Sequence, residues 1–382
     1  MIYFDNAATG GRKPDSVVRA VTASIEGMCA NPGRSGHSLA VACGENVLRC
    51  RKLLCSFFGG QSWERVIFTK NCTEALNTVI FGMVGAHTGK TPHIVTTAAE
   101  HNSILRPLFF LEREKRIRLS VVQPKNGIVH PEDIAGAVEK DTLAAVFTLA
   151  SNVTGAAIDP AAVRALLPAH IFTVCDGAQA CGHIRIDMQK AGIDALCLAG
   201  HKGMHGIQGS GALLFSNRME LAPFMHGGTG SESFNTAMPA FYPDRLEAGT
   251  LSCPAAAALA EGTLYLEENL EKNAAHIQRL TAFLIEKLQN LDDVRVFSKP
   301  NPFGIVAFDC ALLQSEFFAQ ELSDHYEIAV RGGLHCAPLM HRALNTSDGG
   351  LIRASLSEFN TMREAEYFVS AVQEIVRGLR GV

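Results

Sequence analysis

Between about Ser62 and Phe215 the chain alternates short apolar runs with stretches of helical spacing. The runs are Val66–Thr69, His93–Thr96, Ala144–Thr148, Ile171–Val174 and Ala195–Leu198, and each passes into polar or glycine-containing sequence. Continuous apolar runs of this length are expected of strands covered on both faces. Helical segments between them predict crossover connections and a mainly parallel sheet. From Pro254 the pattern changes. Leu266, Leu270, Ile277, Leu280, Leu284 and Leu288 mark one face of a long helix. Thr361 and Glu364 have capping-box spacing ahead of an apolar stripe of Phe368, Val372, Ile375, Val376 and Leu379, and Gly304–Phe308 reads as a strand. The expectation is an α/β protein with a large domain over 15–253, and a smaller α+β domain formed by 1–14 with 254–382. No internal repeat interrupts the pattern.

Composition narrows the class. The 382 residues carry 34 Lys and Arg against 38 Asp and Glu, a net charge of −4, so no basic field suits nucleic acid. An apolar fraction of 47% is enough for a sizeable core and argues against disorder. No apolar run approaches the roughly 18–20 residues that a membrane-spanning helix needs. Met1–Asn6 lacks a basic segment followed by an apolar one, so no secretory leader is expected and a cytoplasmic location is. The eleven cysteines are odd in number and contain no Cys-x-x-Cys pair, so neither a disulfide framework nor a zinc site is expected. Most are read as small buried hydrophobes.

The polar residues that follow the apolar runs carry the chemistry. They are Asn71-Cys72-Thr73-Glu74, Glu100-His101-Asn102, Ser151-Asn152, Asp176 and His201-Lys202. Ligands of open α/β sheets bind outside the carboxyl ends of the strands, so these clusters point to one shared crevice. Lys202 sits on a small-residue loop after a buried strand, where a desolvated amine can form a Schiff base. The plainer alternative is a surface lysine. Asp176 ends an apolar run and requires a cation or hydrogen bonds; a pyridinium nitrogen meets that need, and so does service as a helix N-cap. His101 suits stacking on a ring or a structural role, and Thr73 at a helix start suits an anion or an ordinary cap. His201 and His205 share metal-protease spacing, but Lys202 stands where the acid should be, so no metal is expected.

Taken in order, Thr73, His101, Asn152, Asp176 with Gln179, and His201-Lys202 resemble the class V aminotransferase family of pyridoxal phosphate enzymes, and within it the cysteine desulfurases and selenocysteine lyases. The resemblance runs from Tyr3–Thr9 to Ile352–Leu356 and is most specific in Ser151–Gly155, Asp176–Gln179, Gly200–Lys202, Glu247–Thr250 and Arg331–Cys336. It implies the fold type I architecture, with a mainly parallel seven-stranded sheet. It also implies pyridoxal 5'-phosphate on Lys202, with Asp176 at the ring nitrogen, Gln179 at the phenolic oxygen and His101 stacked on the ring. Thr73 and His201 would hold the phosphate, Cys72 and Asn152 would also lie on the cofactor side, and Thr250 would reach the phosphate of a neighbouring subunit in a homodimer. Arg353 would grip the substrate carboxylate beside Asn152, with Asn6, Ala8, His37 and Arg331 also on the substrate side.

Cys336 selects the subfamily. Arg331-Gly332-Gly333-Leu334-His335-Cys336 is a glycine-preceded loop in which Arg331 and His335 bring positive charge that favours thiolate. The resemblance implies that this cysteine takes sulfur from L-cysteine as a persulfide, leaving L-alanine, and passes it to an acceptor protein or reductant. The loop is of the compact kind. Selenocysteine lyase, acting on L-selenocysteine, and an aminotransferase with an idle Cys336 are the alternatives; a non-catalytic scaffold is disfavoured by intact Lys202, Asp176 and Cys336. Two departures bear on the phosphate. Ala199 replaces a hydroxyl residue and Cys72 stands where a second one is common, so the Gly227–Ser231 turn is a source of replacement donors.

Overall fold

The structure is a computed structural model that describes residues 1–27, 30–33 and 35–381; one of the eleven cysteines, Cys29, lies outside them. The chain opens with β1 (Ile2–Tyr3), α1 (Asp15–Gly27) and α2 (Ser38–Phe57). It then alternates through β2 (Val66–Thr69), α3 (Cys72–Ala86), β3 (His93–Thr97), α4 (Asn102–Arg113), β4 (Arg118–Val122), α5 (Pro131–Gly136), β5 (Thr142–Thr148), α6 (Pro160–Leu166), β6 (Phe172–Asp176), α7 (Met188–Ala191), β7 (Ala195–Ala199) and β8 (Gly211–Phe215). The 37-residue α8 (Cys253–Gln289) leads to β9 (Val294–Val296), β10 (Ile305–Cys310), α9 (Ser315–Tyr326), β11 (Ile328–Ala329), α10 (Pro338–Leu344), β12 (Ile352–Ser355) and α11 (Met362–Arg380).

The central sheet has seven strands, as the resemblance implies, in the order β2-β8-β7-β6-β5-β3-β4. All run parallel except β8, which is antiparallel to both β2 and β7. The apolar runs are continuous because alternate residues feed two cores. In β5, Ala145 and Phe147 join one face with Val47, Leu54 and Leu259, while Ala144 and Val146 join the other with Leu76, Ile80 and Leu108. A third core lies around the antiparallel sheet β12-β10-β9, where Phe4, Val306, Phe308, Phe318, Ile352 and Phe368 pack together.

Helix α8 threads two of these cores. Leu259, Leu266 and Leu270 lie under the large sheet, and Leu280, Leu284 and Leu288 lie in the third core. The Thr361–Glu364 capping box starts α11 as its spacing predicts. Its stripe is shorter than expected: Phe368, Val372, Ile375 and Val376 are buried, but Leu379 is exposed, because the last turn of α11 runs past the core.

One close approach ties α8 to the loop after β7. A Cβ on Gly262 would overlap the carbonyl oxygen of Met204, so the helix rests directly on the backbone that follows Lys202. We predict that Gly262→Ala lowers stability. Helix propensity favours alanine by about 1 kcal/mol, but forcing atoms into a filled interface costs about 1–3 kcal/mol. Urea denaturation should show a lower midpoint at unchanged slope; an equal or higher midpoint contradicts the packing argument.

Candidate active site

The loop after β7 folds back on itself. Gly206 N–H donates to the Gly200 carbonyl at 2.7 Å and His205 N–H to the Lys202 carbonyl at 3.0 Å. This turn aims Lys202 into a cavity of about 210 Å³ at the carboxyl edge of the sheet. No hydrogen bond or ion pair to its Nζ forms among the described residues. Burial lowers the amine's pKa and the Arg353 charge adds to that, with Asp176 and Cys72 acting in the opposite sense.

Asp176, the last residue of β6, lines the same cavity. It caps no helix. Its Oδ1 accepts from the Ala178 amide at 2.8 Å and from the Cys72 thiol at 3.3 Å, while Oδ2 has no hydrogen bond among the described residues. Gln179 donates from Nε2 to the Ala7 carbonyl at 3.2 Å. Across the cavity, His101 is the N-cap of α4, and its Nδ1 accepts from the Ser103 amide at 3.1 Å. The structural and the ring-facing readings of His101 therefore coexist. Burial lowers its pKa, so the ring is neutral with its proton on Nε2.

Thr73 stands in the first turn of α3 but does not cap it. Asn71 does, its Oδ1 accepting from the Glu74 amide at 2.9 Å. The Cys72 and Thr73 amides have no acceptor among the described residues, and the Thr73 hydroxyl meets Ser103 Oγ at 2.7 Å. A helix start with open amides and a hydroxyl is an anion site. His201 faces it, with Nδ1 3.0 Å from Thr9 Oγ1; burial and the Lys202 charge push its pKa down to about 4.

Arg353 on β12 is 1% exposed. Its Nη1 donates to the Asn152 carbonyl at 2.9 Å, its Nη2 pairs with Asp5 at 3.1 Å, and its Nε has no partner. Burial pushes this guanidinium down to about 10. Arg331 lines the cavity and bonds Arg353 through the backbone in both directions, at 2.8 and 3.1 Å.

Cys336 is exposed, beside the cavity wall formed by His335. His335 and Cys336 both adopt left-handed backbone, with φ of 50° and 56°. Two hydrogen bonds of 2.7 Å hold the turn: Asn152 Nδ2 donates to the His335 carbonyl, and the Asn102 amide donates to the Cys336 carbonyl. Burial pushes His335 down to about 2, so it carries no charge, contrary to expectation; Arg331 and Arg353 supply the positive field.

Several expected residues sit elsewhere. The Cys72 thiol turns to Asp176 rather than to the open amides of α3, because its side chain points at the end of β6. Ala8 lines the cavity, but Asn6 spends its amide on the Ser355 carbonyl at 2.9 Å and on the Gly11 amide at 3.1 Å. His37 is an exposed N-cap of α2. Thr250 is exposed and lines a separate pocket with Phe68 and Lys70. The Gly227–Ser231 turn does not reach this cavity either; its Thr229 and Ser231 line a further pocket with Tyr242 and Asp244. Conversely, Ser103, Thr148 and Asp5 escaped the sequence reading. Ser103 had one local signal, its place two residues after His101. Eight of the ten described cysteines are buried, as expected of fillers; Cys55 is half-buried and Cys336 exposed.

The cavity fits pyridoxal phosphate. It offers an amine without a partner, a carboxylate oxygen left open, an imidazole and a helix start with free amides, the donor set for an aldehyde, a ring nitrogen, a ring face and a phosphate.

The sequence profile of the Aminotransferase class-V family matches residues 2–368. The chain is 30% identical to a probable cysteine desulfurase of Methanothermobacter thermautotrophicus over 98% of its own length and 94% of the relative's. It is likewise 30% identical to a probable cysteine desulfurase of Pyrococcus abyssi, over 100% and 95%. Among solved structures it is similar to the apo cysteine desulfurase of Thermococcus onnurineus, with a TM-score of 0.90 and 29% identity over 99% of this chain and 95% of that one.

Beneath His101 lies Glu100, fully buried. Its Oε1 accepts from the Thr97 hydroxyl at 2.6 Å and its Oε2 has no partner. Burial pushes its pKa up to about 8. The folded protein therefore holds a proton there that the unfolded chain releases above its ordinary pKa of 4.5, so this group lowers stability as pH rises from about 5 to 8. Glu100→Gln removes that slope. The stability of the variant relative to the parent should increase with pH across this window, by up to about 1.4 kcal/mol per pH unit. Urea midpoints at pH 5, 6.5 and 8 measure it; a difference that stays constant would show that Glu100 is ionised in the fold.

Proposed function

Because the chain belongs to the class V aminotransferase family, whose members depend on pyridoxal phosphate, we propose that it is a cysteine desulfurase that converts L-cysteine to L-alanine and collects the sulfur on Cys336. The observation that carries this reading is a buried, partnerless Lys202 amine sharing one cavity with Asp176 and Arg353, next to an exposed thiol held in a fixed turn. In the proposed division, residues 15–253 hold the cofactor, while 1–14 and 254–382 bring Arg353 and Cys336.

Bound on Lys202, pyridoxal phosphate supplies an aldehyde carbon that takes the substrate amine and a ring that accepts electrons from Cα. Asp176 Oδ2 is the acceptor for the ring N–H, with Gln179 and His101 fixing the rest of the ring. Thr73, His201 and the free amides of α3 hold the phosphate. Arg353, on the cavity wall, receives the substrate carboxylate. Lys202 Nζ, whose pKa burial lowers, takes the Cα proton. Cys336 Sγ then attacks the substrate sulfur. The S–S bond forms as the Cβ–S bond breaks, and that electron pair stays with the carbon fragment, which picks up protons on the way to alanine.

Further parts of the reading concern partners. Thr250 lies outside the Lys202 cavity, which supports its use by a second subunit of a homodimer. The exposed Cys336 supports transfer of sulfur to an acceptor protein. The ten described cysteines are free thiols, which supports a reducing, cytoplasmic setting. No helix among the described residues is long and apolar enough to cross a membrane.

Borohydride reduction of the yellow holoenzyme followed by peptide mapping should place the label on Lys202; a label elsewhere overturns the reading. Cys336→Ala should keep the cofactor absorbance yet abolish persulfide and alanine production, and full turnover in that variant would remove Cys336 from the chemistry. Arg353→Lys should lower kcat/KM for cysteine about 10- to 150-fold, the loss of a charged hydrogen bond of about 1.5–3 kcal/mol. Unchanged kcat/KM would mean that the carboxylate binds elsewhere.

A further inference from the structure

Asp176 sits among thiols. Cys72, Cys175, Cys181 and Cys197 are all buried with pKa values raised well above the ordinary thiol range, first by burial and, for each of them, by charge on Asp176 or its neighbours. They are therefore protonated. Only Cys72 hydrogen-bonds the carboxylate, donating to Oδ1 at 3.3 Å. The Ala178 amide donates to the same oxygen at 2.8 Å. The backbone that follows Asp176 is tightly packed: a Cβ on Gly177 would press on Cys181 Sγ and Leu196, and the Gly177 amide donates to the Cys197 carbonyl at 2.8 Å.

We propose that Cys72 is a positioning residue for Asp176: its thiol fixes Oδ1 so that Oδ2 alone is presented to the ring nitrogen of the cofactor. The inference rests on the reading of Asp176 as the ring-nitrogen partner. It gives Cys72, which lines the cavity next to Thr73, a role at the ring nitrogen. A carboxylate with both oxygens free rotates about its Cβ–Cγ bond and shares its charge between two directions. One oxygen tied by two donors leaves a single acceptor with a fixed bearing.

The test compares Cys72→Ala, which keeps the packing volume close and removes the donor, with Cys72→Ser, which keeps a donor. The readouts are the pH titration of the bound cofactor's visible absorbance and the dissociation constant for pyridoxal phosphate added back to cofactor-free protein. A ring nitrogen less firmly held in its protonated form draws fewer electrons from the conjugated system, so groups attached to that system become more basic. Cys72→Ala should move the titration midpoint upward by about 0.5 pH unit or more and weaken cofactor binding about threefold or more, while Cys72→Ser stays near the parent. If alanine and serine behave alike, or if neither moves the midpoint, Cys72 is only a filler and the proposal fails. Should the parent protein bind no pyridoxal phosphate, it is the cofactor reading that fails; should the alanine variant not fold, a serine variant with a downward or unchanged midpoint retains the proposal and one with an upward shift ends it.

Discussion

Two buried cations face one small cavity with a single open carboxylate oxygen between them. Lys202 has no ion-pair partner among the described residues and feels Asp176 as its counter-charge, while Arg353 is paired with Asp5. Taking such groups out of water is expensive unless hydrogen bonds and opposite charge make up for it. The chain tolerates the arrangement because rigid elements enclose it. Asp176 ends a strand paired on both sides, Arg353 lies in the antiparallel β12, and the Lys202 turn rests on α8 through Gly262. The remaining imbalance lowers the pKa of the amine, and a lysine with a lowered pKa is one that can act as nucleophile or base near neutrality.

Histidines add no charge to this balance. His101 is kept neutral as an N-cap, His201 falls to about 4 and His335 to about 2, in every case with burial as the largest cause. The cations around them push the same way. The positive potential felt at the thiol loop therefore comes from guanidinium groups that do not titrate in the working range. A site built in this way draws its positive field from guanidinium groups rather than from histidines.

Much of this was readable in the sequence, for a physical reason. Strands buried on both faces leave continuous apolar runs, and the residue after such a run is at the sheet edge whatever the rest of the chain does. That is why Asp176, His101 and Lys202 stood out. The antiparallel β8 was not legible, since nothing in Gly211–Phe215 records its direction. Ser103, Asp5 and Thr148 were missed because their relevance comes from partners distant in sequence: Asp5 matters through Arg353, 348 residues away. The direction of the Cys72 thiol is likewise a fact of tertiary geometry. His335 read as a cation because a lone histidine beside a cysteine invites that reading, and only burial shows otherwise.

Asn152 explains how the reactive thiol and the carboxylate-binding group keep a common frame. Its side chain holds the His335 carbonyl at 2.7 Å and its own carbonyl holds Arg353 at 2.9 Å. One residue in the loop after β5 thus fixes the loop that carries Cys336 and the guanidinium from β12. Two consecutive left-handed residues without glycine cost roughly 1–2 kcal/mol each, and such a turn persists only where its surroundings dictate it. The Asn102 amide on the Cys336 carbonyl is the second constraint, from the first residue of α4. A sulfur transfer needs the attacking thiol placed relative to the carboxylate, not merely near it. Asn152, in the loop after β5, meets that need by holding both groups at once, and Asn102 adds a second hold on the thiol loop.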